Sequence, residues 1–75
     1  LINKQLQEEA KMAKINGKEE NPGNITLREY LNKNNYNLKI IAVERNEEIV
    51  SKNDYEKVYI QPDDVIEIVS FVGGG

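Results

Sequence analysis

Seventy-five residues, thirteen acidic and ten basic side chains, a net charge of −3 and neither Cys nor His set narrow bounds on this chain. A domain of this size buries only about 60% of its unfolded surface, so one small core fits and an enclosed active-site cavity does not. The acidic balance argues against nucleic acid, and the missing Cys and His remove disulfides, thiolate chemistry, Cys-ligated zinc and the commonest general base. A self-sufficient hydrolase or metalloenzyme is therefore not expected, and no metal site is assigned. No apolar run approaches the roughly 20 residues of a membrane span and no signal peptide is visible. The cytoplasm is the expected location, with no membrane partner.

In chain order, "LINKQLQEEAK" (residues 1–11) differs in character from the remainder of the chain. Ile2, Leu6, Ala10 and Ala13 make only a weak helical stripe, and Met12 resembles a natural start. Residues 1–11 are expected to be an extension introduced by cloning, with the domain proper at 12–75. Asn16-Gly17 sits between two short extended stretches and tolerates the positive φ angles of a type I′ turn, which predicts a β-hairpin. Its second strand, Lys18 to Asn21, has no apolar residue and reads as an exposed edge. "NPGN" then breaks the pattern.

"ITLREYLNKNN" carries the clearest local signal. Thr26 with Glu29 three residues on is a capping box, and Ile25 and Tyr30 are placed for a hydrophobic staple. Leu27, Tyr30 and Leu31 share one face, and the asparagines from Asn32 to Asn37 end a helix of about ten residues. "IIAVERN" is a strand with Ile41 and Val43 on one face and Ala42 and Glu44 on the other. Asn46-Glu47 turns the chain into a short return, "EIV". Ser51 can start a helical turn in the irregular stretch after it, and "QPDD" is a turn around Pro62. In the last strand, "VIEIVSFV", Ile66, Ile68 and Val72 alternate with Val65, Glu67, Val69 and Phe71.

The order hairpin, helix, strand, strand, turn, strand predicts a small α+β domain: a mixed sheet of four to five strands with one main helix packed across it. If the first and last strands are central neighbours, the arrangement is a β-grasp, the ubiquitin-like fold.

The candidate site is the ending "FVGGG". Glycines have no Cβ and reach backbone conformations closed to other residues, and three extended residues span about 10 Å. Gly73, Gly74 and Gly75 could thread a channel that any side chain would block. A terminal carboxylate, with a reference pKa of about 3.5, is ionised at neutral pH and can attack the α-phosphate of ATP to give an acyl-adenylate. The chain has no phosphate-binding loop of its own, so an adenylating partner must supply the nucleotide site, the metal and the positive charge. An inert, frayed tail is the plainer alternative. Val69 and Phe71, facing away from the helix, form a candidate docking surface; packing against a neighbouring strand or the extension at residues 1–11 is the plainer reading. Asp63-Asp64 reads as turn residues, not as a paired catalytic or metal-binding site. Tyr30, Tyr36, Tyr55 and Tyr59 read as core or half-buried packing, and Glu44-Arg45 and Glu47-Glu48 as solvated edges and turns. The lysines define no patch.

Together, "KINGKEE", "TLREYL", "IAVERNEEIV" and "DDVIEIVSFVGGG" resemble the ThiS family, the sulfur carriers of thiamine thiazole biosynthesis, over residues 12 to 75. A short first strand and Arg45, where the family often has an apolar residue, are departures; neither touches the tail. The resemblance implies a β-grasp protein that is a co-substrate and not an enzyme. It implies that Gly75 is adenylated by an E1-like adenylyltransferase using ATP and becomes a thiocarboxylate, with Gly74 its required neighbour and Gly73 extending the arm. The implied partners are that enzyme, thiazole synthase as sulfur acceptor, and a sulfur donor such as a cysteine desulfurase; the carrier itself binds no cofactor. A carrier of the molybdopterin synthase small-subunit type shares the fold and Gly-Gly ending, a conjugated ubiquitin-like modifier is a further carrier-type option, and a β-grasp binding module with an inert tail is the alternative of a different class.

Overall fold

Two tight hairpins and one capped helix organise the chain in a computed structural model that describes residues 12–71. The extension expected at 1–11, Val72, and the glycines Gly73, Gly74 and Gly75 lie outside the described residues. Strand β1 (Ala13–Ile15) pairs antiparallel with β2 (Lys18–Glu20), with Ile15 opposite Lys18. Asn16 and Gly17 close the turn at φ of 50° and 84°, both positive as a type I′ turn requires. β2 is the exposed edge expected of it but stops at Glu20. Asn21 leaves the ladder, and its Oδ1 accepts from the Gly23 N–H at 3.3 Å.

Helix α1 (Leu27–Lys33) opens on the predicted capping box. The Glu29 N–H donates to Thr26 Oγ1 at 3.1 Å, and the Thr26 N–H donates to Glu29 Oε1 at 2.9 Å. Two of the otherwise orphaned N–H groups at the helix start are thereby satisfied. The helix has seven residues, shorter than the expected ten. Asn34 ends it by donating its side-chain amide to the Tyr30 carbonyl at 2.9 Å, and Asn35 comes next at φ 64°. Leu27, Tyr30 and Leu31 are buried as their spacing predicts. A 3₁₀ turn at Leu38–Ile40, not anticipated from the sequence, is capped by Asn37 Oδ1, which accepts from the Lys39 N–H at 3.0 Å.

β3 (Ile41–Arg45) and β4 (Glu48–Val50) form the second hairpin, closed by Asn46 and Glu47 at φ 53° and 72°. Ser51 caps a second 3₁₀ turn, Lys52–Asp54, before the chain returns through β5 (Val65–Ser70). The five-stranded sheet has the order β2-β1-β5-β3-β4, with β1 parallel and β3 antiparallel to β5. First and last strands are thus central neighbours, the condition that defines a β-grasp. The segment between β4 and β5 is tied to the helix start by Leu27 N–H to Val58 O at 2.8 Å and Ile60 N–H to Ile25 O at 3.0 Å.

One face of the sheet meets α1 around Ile15, Leu27, Leu31, Ile41, Val43 and Ile66, all essentially inaccessible. Tyr30 and Tyr55 belong to this core and Tyr36 packs at its margin. Tyr59 is a correction: its side chain is exposed, and its backbone bridges Thr26. Both hairpin asparagines also serve β5. Asn16 donates its N–H to Ile66 O at 2.9 Å and accepts from the Ile68 N–H at 2.7 Å. Asn46 donates to Val65 O at 2.8 Å and accepts from the Val65 N–H at 2.9 Å. The parallel ladder spans only two residue pairs, Lys14 with Val65 and Ile15 with Ile66, and the Asn16 side chain prolongs it.

Candidate functional site

Alternation along β5 decides what the strand offers to other molecules. Ile66 and Ile68 enter the core, so Val65, Glu67, Val69 and Phe71 emerge on the face opposite α1, as the period of two dictates. Val69 is 56% and Phe71 61% exposed, so the plainer expectation that they pack against a neighbouring strand does not hold within residues 12–71. Ala42, opposite Val69, is half-buried on this face, and Ile49 of β4 is 70% exposed. Phe71 does not drift from the sheet: its N–H donates to Ile40 O at 2.7 Å. The ladder therefore fixes the point at which the chain leaves β5. The expected reactive residues, Gly73 to Gly75, lie beyond that point and outside the described residues.

Asp63-Asp64 is a turn, as expected, with Asp63 at φ 70°. The two residues nevertheless have different fates. Asp64 is buried and accepts from Arg45 Nε at 2.9 Å, Asn46 Nδ2 at 3.0 Å and the Gln61 N–H at 2.8 Å. Burial alone would raise its pKa, but the Gln61, Arg45 and Asn46 donors outweigh it and hold the carboxyl below its ordinary value. The reading of Arg45 as a solvated edge residue is thus corrected: it is the cation that pairs with a buried carboxylate, and this apolar-to-basic departure has a structural purpose. No sequence signal joins residues nineteen positions apart across two turns. Tyr30 shifts further from its ordinary value. Burial pushes it up to about 12, aided by the hydrogen bond from its hydroxyl to Glu20 Oε1 at 2.9 Å.

Nothing in the described residues assembles a catalytic centre. No group of three or more His, Cys, Asp or Glu among them could hold a metal ion, and no helix among them is long and apolar enough to cross a membrane. A groove of about 400 Å³ between the Pro22 and Pro62 loops contains no titratable side chain. What the described residues can do chemically is present an apolar sheet face, and a chain exit beside it, to another protein.

Comparison with known proteins agrees with this architecture. A family model described as "ThiS family" matches residues 1–75. A thiazole synthase of Paramagnetospirillum magneticum is 42% identical over 62 residues, covering 81% of this chain and 19% of that protein. The sulfur carrier protein ThiS of Bacillus subtilis is 60% identical over 37 residues, covering 49% of this chain and 56% of that protein. The chain thus spans about a fifth and about half of the length of these two relatives. Among solved structures, the thiamine biosynthesis protein ThiS from Geobacter metallireducens superposes with a TM-score of 0.71 at 22% identity, over 85% of this chain and 99% of that one. At that identity the likeness shows the fold alone.

Proposed function

The chain belongs to the ThiS family, and on that premise we propose that it is a sulfur carrier that delivers sulfur for thiazole formation in thiamine biosynthesis. It acts as a protein co-substrate, charged and discharged in turn. The Gly75 carboxylate attacks the α-phosphorus of ATP on an E1-like adenylyltransferase; an O–P bond forms and pyrophosphate leaves. Sulfur from a donor such as a cysteine desulfurase then attacks the acyl carbon and displaces AMP: sulfide gives the thiocarboxylate directly, whereas a persulfide gives an acyl disulfide whose S–S bond a thiol reductant then cleaves. A Gly75 thiocarboxylate results, and thiazole synthase is the acceptor. Gly74 and Gly73 supply a stem slender enough to enter both partners, while Val69 and Phe71 give the domain a face to dock with.

The observation that carries this reading is the exit of β5. A ladder-held Phe71, exposed on the helix-free face, ties the residue that precedes Val72 and the glycines in sequence to a rigid platform, which suits delivery of a backbone group into a partner's channel. Family membership and the carrier and synthase relatives favour sulfur as the cargo.

Intact mass after incubation with ATP, an adenylating partner and a sulfur source tests the reading. The expected result is a mass gain matching one oxygen replaced by sulfur, abolished by deletion of Gly75. An unchanged mass would leave a binding module with an inert tail. Sulfur accepted by molybdopterin synthase in place of thiazole synthase would move the chain to that branch. Gly74→Ala should keep the far-UV spectrum and Tm of the wild type yet slow adenylation by about 100-fold, the scale of a one-ångström misplacement; normal turnover in that variant would count against threading.

A further inference from the structure

The ladder register sets two glutamates against each other on the helix-free face. Glu44 of β3 pairs directly with Glu67 of β5, and Glu44 also lies opposite Ile49 of β4. Like charges placed opposite one another weaken a sheet, and no cation among the described residues is paired with either glutamate. The ion pairs among the described residues are Arg28–Glu56 and Arg45–Asp64. Lys14, on the same face opposite Val65, forms no ion pair with either glutamate.

The surroundings say what would relieve the repulsion. Glu44, Glu67, Ala42, Ile49 and Val69 line one shallow depression of about 80 Å³, far below the roughly 300 Å³ at which small-molecule pockets begin. It has room for the head of one side chain, not for a metabolite. No third His, Cys, Asp or Glu among the described residues joins the two carboxylates to make a group that could hold a metal ion. A mainly apolar depression bordered by two glutamates matches a guanidinium or ammonium group carried on an aliphatic stem, the stem lying on Val69 and Ile49 and the charge reaching Glu44 and Glu67. Phe71, exposed and two residues beyond Val69, emerges on the same face as the depression.

We infer that the helix-free face docks on the adenylating partner through a basic side chain of that partner, Arg or Lys, seated between Glu44 and Glu67. This rests on the carrier reading and gives the docking surface its chemistry: apolar contact supplies area, and the acid pair selects a partner that brings the matching cation. The free domain retains a repulsion that binding removes, so neutralising the pair should improve the fold while impairing recognition.

The test uses the full chain with E1-like adenylating enzymes, read by ATP–pyrophosphate exchange. Glu44→Gln/Glu67→Gln should raise Tm by about 2 °C or more and raise KM for the carrier by at least about tenfold, with the effect in KM rather than kcat. Wild-type KM should climb with salt and the double variant's should not. Glu67→Lys should weaken recognition further. A double variant with wild-type KM and wild-type salt dependence overturns the inference while leaving the carrier reading intact. Absence of exchange with the wild-type chain itself would instead remove the carrier reading, and this inference with it.

Discussion

Asp64 shows how a single carboxylate can hold two distant turns. Its oxygens collect donors from the β3–β4 turn, through Arg45 and Asn46, and from the turn that precedes β5, through Gln61. Asp64→Asn keeps the shape but removes the charge that two of these bonds depend on, and should lower stability at pH 7 by about 2 kcal/mol, the range of hydrogen bonds to a charged group. The direction of the shift sets the pH dependence. A depressed folded-state pKa stabilises the fold above the ordinary value of 3.8 and loses that contribution as pH falls through the folded value. The Tm gap between wild type and Asp64→Asn should therefore hold above the ordinary value of 3.8 and close only as pH falls through the lower folded-state value, as thermal melts across pH would show; a constant gap would mean the charge is not what stabilises. The turn at Asp63-Asp64 was legible because Pro and Asp have local preferences. The burial of Asp64 was not, since it depends on Arg45 arriving from another hairpin. Tyr59 escaped prediction for a related reason: hydrophobic size says nothing about which side of an irregular segment faces out.

At the scale of elements, the hairpin asparagines do more than turn the chain. Asn16 occupies the left-handed region at φ 50° and also terminates the β1–β5 ladder with its side chain. The two roles can be separated. Asn16→Gly keeps the backbone conformation and loses the acceptor for the Ile68 N–H together with the long, exposed bond from Asn16 Nδ2 to the Tyr36 hydroxyl at 3.4 Å, which should cost about 1–3 kcal/mol. Asn16→Ala loses both and should be worse by roughly 1 kcal/mol; chemical denaturation of the pair decides, and equal losses would mean the turn carries no strain. Helix α1 gives a simpler case: Thr26→Ala removes the capping box and should cost about 1 kcal/mol, seen as a shift in the denaturation midpoint with unchanged m value. The sequence showed these elements well where the code is local. Asn-Gly, the Thr26–Glu29 pair and the alternation in β5 all act within four residues. It overestimated α1, because Asn34 stops a helix by a side-chain bond to Tyr30 that periodicity does not encode. The 3₁₀ turn at Leu38–Ile40 has no periodic signature at all.

For the whole molecule, the two sheet faces divide the labour. One face is filled by α1 and the core, and the other stays open with Ile49, Val69 and Phe71 exposed. Val69→Ser/Phe71→Ser should leave stability within about 0.5 kcal/mol of wild type, as for surface positions generally, while weakening capture by the adenylating partner; pull-down with thermal melts as control measures both, and unimpaired capture would place docking elsewhere. This much of the candidate site was legible, because alternation assigns faces once Ile66 and Ile68 are inside. The opposition of Glu44 and Glu67 was not, since register between β3 and β5 is set by packing and not by either strand alone. The central seat of β5 also has a mechanical consequence. A strand bonded on both flanks, and pinned near its start by Asn16 and Asn46, meets a tug along its own axis with all of its bridges loaded in shear together, whereas an edge strand would unzip them one by one. Whatever grips the far end of this chain can haul on it hard without unravelling the body it is anchored to.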